Sequence, residues 1–196
     1  MNIEFIIPTY VRKNHLKTII CSLLSQTSPD WKAHIVADNP PHEINEENIK
    51  FIRMINDDRI KYTRLDKRHG DWGHTPRNYG LDNATGEWIV MTGEDNYYVP
   101  TFVENMLNET IDPNIGFVFC SFLHNQTNLG NTYYPVKAKL ELNKIDIGCY
   151  MFKRNLSKDI RLNTTMPQSD YYFMVDYLEK NDVDVVYVDE VLYVHN

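Results

Sequence analysis

Through its first 92 residues the chain alternates short apolar runs with segments whose apolar residues recur at helical spacing. "IEFII" (3–7) is an apolar run that ends at Pro8, and "LKTIICSLLSQ" (16–26) sets Leu16, Ile19, Ile20, Leu23 and Leu24 at helical spacing. The same logic predicts a strand over 32–38 ("KAHIVAD"), a helix over 45–56 and a strand over 59–65. A helix over 75–84, closed by Gly86, and a strand over 88–92 ("WIVMT") complete the series. Strands joined by helical crossovers build a mostly parallel sheet flanked by helices, an α/β fold of Rossmann-like type. Ligands in such a sheet bind beyond the carboxyl ends of its strands.

After residue 100 the pattern changes. "GFVFCSFLH" (116–124), "KAKLEL" (137–142) and "GCYMFKR" (148–154) follow one another with little helix between them, which predicts a small antiparallel element beside the parallel core. No linker or repeat divides the chain, so a single domain over residues 1–196 is expected, large enough to bury roughly 70% of its unfolded surface.

The formal net charge of −7 argues against nucleic acid as a partner, although a local basic patch can still bind a phosphorylated ligand. Cys21, Cys120 and Cys149 form neither a CxxC pair nor a metal-ligand spacing, and are read as buried thiols of a reducing compartment. The amino-terminal apolar run is too short for a signal peptide, and no stretch reaches the roughly 18 apolar residues of a membrane span. A soluble, cytoplasmic protein is expected, with a homo-oligomer left open.

Three polar elements fall at predicted strand ends: Pro8-Thr9-Tyr10, Asp38, and the turn of Glu94 and Asp95. Adjacent carboxylates repel each other, so the turn is either solvated or holds a cation. Mg²⁺ and Mn²⁺ are hard cations, and a Mg²⁺-type site often needs only one or two protein carboxylates, so Asp95 alone can suffice. Asp38 either caps a turn with Asn39 ahead of Pro40-Pro41 or contacts a ligand. Arg77, just after Pro76, is either a surface cation or a counter-charge for phosphate, and "RHGDWGH" (68–74) is a polar, aromatic loop able to close over a ligand. Asp170, in "PQSDYYFMVDYLEKN", is either a helix cap, a role Ser169 can also fill, or a carboxylate facing a site.

Taken in order, "FIIPTY", "SLLSQT", "HIVADN", "PRNYGLDNATGEWIV" and "GEDNYYVP" resemble family 2 glycosyltransferases of the GT-A fold. The likeness covers about residues 3 to 110, and continues only through "SDYYFMVDYLEKN" and "VDEVLYV". Many members carry Asp-x-Asp-Asp at the acidic turn, where this chain has Gly93, Glu94, Asp95 and Asn96; the spore-coat polysaccharide type is similar to the version seen here. The resemblance implies a nucleotide-binding half over 1–100 and an acceptor half over 101–196. It implies an inverting, metal-dependent transferase that moves a hexosyl or related sugar from a nucleotide-sugar donor to a hydroxyl of a glycan or other acceptor, in polysaccharide biosynthesis.

By that resemblance Asp95 binds Mn²⁺ or Mg²⁺, Glu94 contacts the ribose and Asp38 the nucleobase. Pro8, Thr9 and Tyr10 line the donor pocket, Arg77 offsets phosphate charge, and Asp170 is the catalytic base. His195 is a further candidate ligand, left outside the metal set because a lone terminal histidine is more often incidental. The alternative is a non-catalytic nucleotide-sugar or glycan-binding module with a degenerate metal site, as Gly93 suggests. A nucleotidyltransferase is disfavoured, because "PTYVRKNHL" has no glycine for a phosphate loop.

Overall fold

The computed structural model describes residues 1–126 and 132–196; residues 127–131, inside the expected acceptor half, lie outside the described residues. β1 (Ile3–Thr9) is buried along its whole length. Such burial of successive residues requires a central strand covered on both faces. β2 (Trp31–Ala37) and β4 (Trp88–Met91) flank β1 in parallel, and β3 (Ile60–Arg64) pairs with β2. The crossovers are α1 (Lys13–Leu24), α2 (His42–Ile55) and α3 (His74–Asp82). α1 and α2 begin earlier than the expected residues 16 and 45 because their first turns are polar and leave no mark in the apolar period.

The second half extends the same sheet. β5 (Tyr97–Tyr98), α4 (Phe102–Asn108), β6 (Ile115–Gln126), β7 (Thr132–Val136), β8 (Tyr150–Lys153), α5 (Ser169–Lys180) and β9 (Asp184–His195) follow in the chain. The strand order is β3-β2-β1-β4-β8-β6-β9-β5, with β7 on β6. β8 runs antiparallel to both β4 and β6, whereas β9 runs parallel to β6. The carboxyl ends of β1, β2, β4, β6 and β9 therefore share one rim with the amino end of β8. Among the described residues no helix is long and apolar enough to cross a membrane.

Three sequence expectations are corrected. Residues 137–142 are not a strand: the Lys139 amide donates to Lys144 O and the Lys144 amide to Glu141 O, both at 3.0 Å, around Asn143 at φ 62°. A six-residue alternation cannot outweigh a left-handed Asn that turns the chain, and the edge strand is β7 instead. Gly86 does not close α3, which ends at Asp82; its amide donates to Glu4 Oε2 (2.6 Å), and a Cβ there would lie 2.6 Å from the Cβ of Glu4. Cys21 is exposed while Cys120 and Cys149 are buried, because α1 turns Leu16, Ile19, Ile20 and Leu23 inward and Cys21 outward.

α3 lies directly on β1 at Gly80, where an added Cβ would meet Ile6 Cγ2 at 2.3 Å. Over-packing of this kind typically costs about 1–3 kcal/mol. Gly80→Ala should therefore lower the urea midpoint, and should cost less in an Ile6→Ala background, since residues in contact do not act additively. Equal penalties in both backgrounds would contradict this contact.

Candidate active site

The first cavity on the rim, of about 350 Å³, is lined by the loop after β1, by Asp38, by parts of the 68–73 loop, by Arg77 and by Gly93–Asp95. Thr9 is buried, and its hydroxyl donates to Glu94 Oε2 while the Tyr10 amide points at Glu94 Oε1 (3.4 Å). These contacts tie the acidic turn to β1. Burial raises the pKa of Glu94, and the Thr9 bond opposes that rise. Asp95 projects further and pairs with Arg12, a residue with no assigned part in the sequence reading. Gly93 makes room for it: a Cβ there would sit 2.7 Å from Asp95 Oδ1. The far end of the turn is anchored by Tyr98, whose ring packs against Phe5 at 5.0 Å and Phe102 at 4.4 Å between centroids.

Asp38 lines this cavity, but its carboxylate also organises the loop above it. Oδ1 accepts from the His69 amide (2.9 Å) and faces His69 Nδ1 (3.0 Å), while Oδ2 accepts from the Gly70 amide (3.0 Å). It is not a simple turn cap. The loop is tight: Gly70, Trp72 and Gly73 have φ of 66°, 57° and 83°. For Trp72 a left-handed backbone costs about 1–2 kcal/mol, and it leaves the indole 59% exposed at the cavity wall. Asp71 accepts from the amide and hydroxyl of Thr75 (3.0 and 2.5 Å), which steadies the start of α3. Buried His74 has its pKa lowered by burial, so its neutral Nε2–H donates to Met166 O (3.2 Å). Thus Trp72 faces the cavity while Asp71 and His74 support its frame. Arg68 lies over the ring of Tyr10, 4.1 Å from its centroid.

Arg77 is buried, not a surface residue. Nε donates to Thr92 O (3.1 Å) and Nη1 to Trp72 O (2.9 Å), so one guanidinium joins the end of β4 to the loop. Burial lowers its pKa, and the charges of Asp170 and Asp146 oppose that. It remains cationic, as arginine does in proteins.

Those two carboxylates line a second rim cavity, of about 400 Å³. Asp170 is in the first turn of α5 without capping it from outside; its Oδ1 accepts from the adjacent Tyr171 amide (2.9 Å). Ser169 does not cap either, because its hydroxyl accepts from the Asn163 amide. Burial raises the pKa of Asp170, the neighbouring Asp146 adds to the rise, and the Tyr171 bond and Arg77 oppose it. Asp146 carried no sequence signal. Its Oδ1 accepts from the Gly148 amide (2.8 Å) and the Tyr193 hydroxyl (2.7 Å), and Oδ2 lies 3.6 Å from His195 Nε2. His195 in turn faces His124, Nδ1 to Nδ1, at 2.9 Å.

Among the described residues no group of three or more His, Cys, Asp and Glu could hold a metal ion. Asp95 nevertheless offers one projecting carboxylate, which fits a cation whose remaining ligands come from phosphate and water.

Residues 4–176 match the family model of Glycosyl transferase family 2. The chain belongs to this family. This family 2 chain is 23% identical over 191 residues to the Escherichia coli UDP-Glc:alpha-D-GlcNAc-diphosphoundecaprenol beta-1,3-glucosyltransferase WfgD, covering 94% of itself and 72% of that protein. An uncharacterized glycosyltransferase of Methanocaldococcus jannaschii is 27% identical over 148 residues, covering 74% of the chain and 49% of its own length.

Among solved structures, S. aureus TarS 1–349 in complex with UDP-GlcNAc superposes with TM-score 0.80 at 18% identity, over 99% of this chain and 58% of that one. The mannosyltransferase PcManGT from Pyrobaculum calidifontis, in complex with GDP-Man and Mn²⁺, gives TM-score 0.74 at 17% identity, over 99% and 56%. The family 2 chain thus has the expected GT-A fold, and spans less than two thirds of either of these two structures.

The bonds from Asp38 generate a direct expectation for the loop. Hydrogen bonds to a charged group contribute about 1.5–3 kcal/mol. Asp38→Ala should therefore speed hydrogen exchange at the His69 and Gly70 amides far more than at β2 itself. Unchanged protection at both amides would show that the carboxylate does not hold the loop.

Proposed function

We propose that this family 2 chain is an inverting glycosyltransferase that moves a sugar from a nucleotide-sugar donor to a hydroxyl acceptor in glycan or polysaccharide biosynthesis. The observation that carries the reading is the pairing of two cavities across Arg77: one lined by arginines and the acidic turn, the other by the half-buried carboxylate of Asp170. A diphosphate suits the first. A hydroxyl that must lose a proton suits the second, since a carboxylate with a raised pKa is a better base than an exposed one. The sugar nucleotides named for TarS and PcManGT, UDP-GlcNAc and GDP-Man, support such a donor.

In this reading Asp170 takes the proton of the attacking hydroxyl. Glu94, fixed by Thr9, contacts the ribose, and Asp38 contacts the nucleobase through the acceptor site left on Oδ2 once the Gly70 amide is bound. Pro8 and Tyr10 complete the wall on that side, and Arg77 offsets phosphate charge from behind. Asp95 would hold Mn²⁺ or Mg²⁺ after releasing Arg12, and such a cation supplies neutralisation of the charge developing on the departing diphosphate. The free thiols Cys21, Cys120 and Cys149 agree with a cytoplasmic setting, and residues 1–100 and 101–196 act as donor and acceptor halves of one domain.

A second reading, a nucleotide-sugar or glycan-binding module without turnover, is favoured by Gly93 and by the Arg12 guanidinium already satisfying Asp95. Calorimetry with UDP and GDP in the presence of Mn²⁺ separates the residues of the turn. Asp95→Asn should weaken metal-dependent binding much more than Glu94→Gln, and equal small losses would remove Asp95 as the ligand.

Turnover decides between enzyme and module. With donor affinity and thermal stability preserved, Asp170→Asn should slow transfer by about 10²–10⁴, the usual worth of a general base. The acid limb of the wild-type rate should lie above the ordinary aspartate value of about 3.9, because burial favours the protonated carboxyl and the base works only when ionised. Loss of stability in proportion to activity would make Asp170 structural. Donor binding without any turnover in the wild type would favour the module.

A further inference from the structure

The two cavities differ in charge. Arg12, Arg68 and Arg77 line the first. Among the described residues lining the second there is neither lysine nor arginine, and the polar groups include Asp146, Asp170, His124 and His195. Its remaining wall is largely apolar and aromatic, with Tyr134 and Tyr171 facing the space. At about 400 Å³ it falls within the range of small-molecule sites, roughly 300–1,000 Å³, and has their usual composition of apolar walls with a few convergent polar groups.

Two acceptor oxygens in this wall take no hydrogen bond from the described residues. Asp170 Oδ1 takes the Tyr171 amide, and no donor among the described residues reaches Oδ2. Asp146 Oδ1 takes the Gly148 amide and the Tyr193 hydroxyl, while Oδ2 lies 3.6 Å from His195 Nε2, too far for a hydrogen bond. Carboxylate oxygens are acceptors only, so the ligand that completes them must bring O–H or N–H donors. The aromatic walls ask for an apolar face on the same ligand. Tyr134 is 40% exposed and is held edge-on by His124 at 5.5 Å between ring centroids, so its ring is available without rearranging the core.

We propose that this cavity is an acceptor subsite that takes one uncharged, hydroxyl-bearing pyranose ring and refuses sugars carrying a carboxylate or phosphate on that ring. The inference rests on the glycosyltransferase reading and adds the class of acceptor to it. A pyranose offers equatorial hydroxyls as donors around its edge and C–H groups on its face. An anionic substituent would meet Asp146 and Asp170 in a wall whose described residues include no lysine or arginine, beside the imidazoles of His124 and His195 and in front of buried Arg77, which is already bonded to Trp72 O and Thr92 O. Like charges brought together at an interface cost several kcal/mol. Discrimination against the anionic sugar should therefore exceed about tenfold, the factor that corresponds to 1.4 kcal/mol.

Saturation-transfer NMR on the full chain with bound UDP or GDP tests this, using the methyl glycosides of glucose, galactose, mannose and N-acetylglucosamine beside methyl glucuronoside and glucose 6-phosphate. At least one neutral glycoside should give strong transfer that Tyr134→Ala weakens several-fold, and the two anionic sugars should give little. Asp146→Asn should narrow the gap between neutral and anionic sugars; because Asp146 also anchors Gly148 and Tyr193, the surface variant Tyr134→Ala is the control that does not disturb the fold. Equal transfer to anionic and neutral sugars, or neutral-sugar signals indifferent to Tyr134→Ala, would overturn the proposal. Calorimetry on the same samples separates the two layers. If UDP or GDP binds and every glycoside fails, the subsite falls and the donor reading stands; if neither nucleotide binds, the donor reading falls and takes the subsite with it.

Discussion

The buried guanidinium of Arg77 is the charge on which the rim depends. A buried ion is costly unless its donors are satisfied and opposite charge is near. Arg77 meets the first condition through Thr92 O and Trp72 O and the second through the field of Asp170 and Asp146. Each of these partners comes from a different segment: the end of β4, the loop ahead of α3, the start of α5 and the approach to β8. One side chain therefore ties two of these segments together by hydrogen bonds and faces the charges of the other two. α3 reinforces the same junction from its other residues, since Asn78 exchanges hydrogen bonds with Leu162 O and the Leu162 amide (2.8 and 2.9 Å), and His74 donates to Met166 O.

The parallel half was legible because its strands lie in the middle of the sheet. β1 and β4 are covered on both faces, so their sequences are short unbroken apolar runs with little alternative to a strand. The boundaries were less legible wherever a polar turn began a helix, as at Lys13 and His42. Residues 137–142 misled for the opposite reason: their alternation of Lys and Glu with Ala and Leu has the right period, but Asn143 turns the chain and leaves Leu142 44% exposed.

Within the site, what could be read was whatever sat at a strand end. Pro8, Thr9, Tyr10, Asp38, Glu94 and Asp95 all line the first cavity, as a rule about carboxyl ends would have them do. Asp146 could not be found that way. It precedes an antiparallel strand, β8, so it reaches the rim from the amino end, and only the strand polarity reveals it. Arg12 was hidden for a different reason: it sits in an exposed stretch of charges, and nothing local marks it as the partner of a carboxylate 83 positions away. The double duty of Asp38 was equally invisible, since the amides it binds belong to a loop whose left-handed residues include a tryptophan.

Gly93 bears on how the first cavity balances its charge. The cavity wall holds three carboxylates, Asp38, Glu94 and Asp95, against three guanidiniums, Arg12, Arg68 and Arg77. An added Cβ at 93 would crowd Asp95 Oδ1, so a fourth carboxylate at that position and the present setting of Asp95 exclude each other. The wall as it stands is close to neutral, with Arg12 spent on Asp95. A diphosphate arriving alone would tip it strongly negative. A diphosphate arriving with a divalent cation would let that cation replace Arg12 at Asp95 and would free Arg12 for phosphate, leaving every charge matched. On the proposed reading, the Arg12–Asp95 pair is thus the resting state of the same charge balance that the donor complex needs, and loss of the first aspartate of the family pattern is compatible with a working turn.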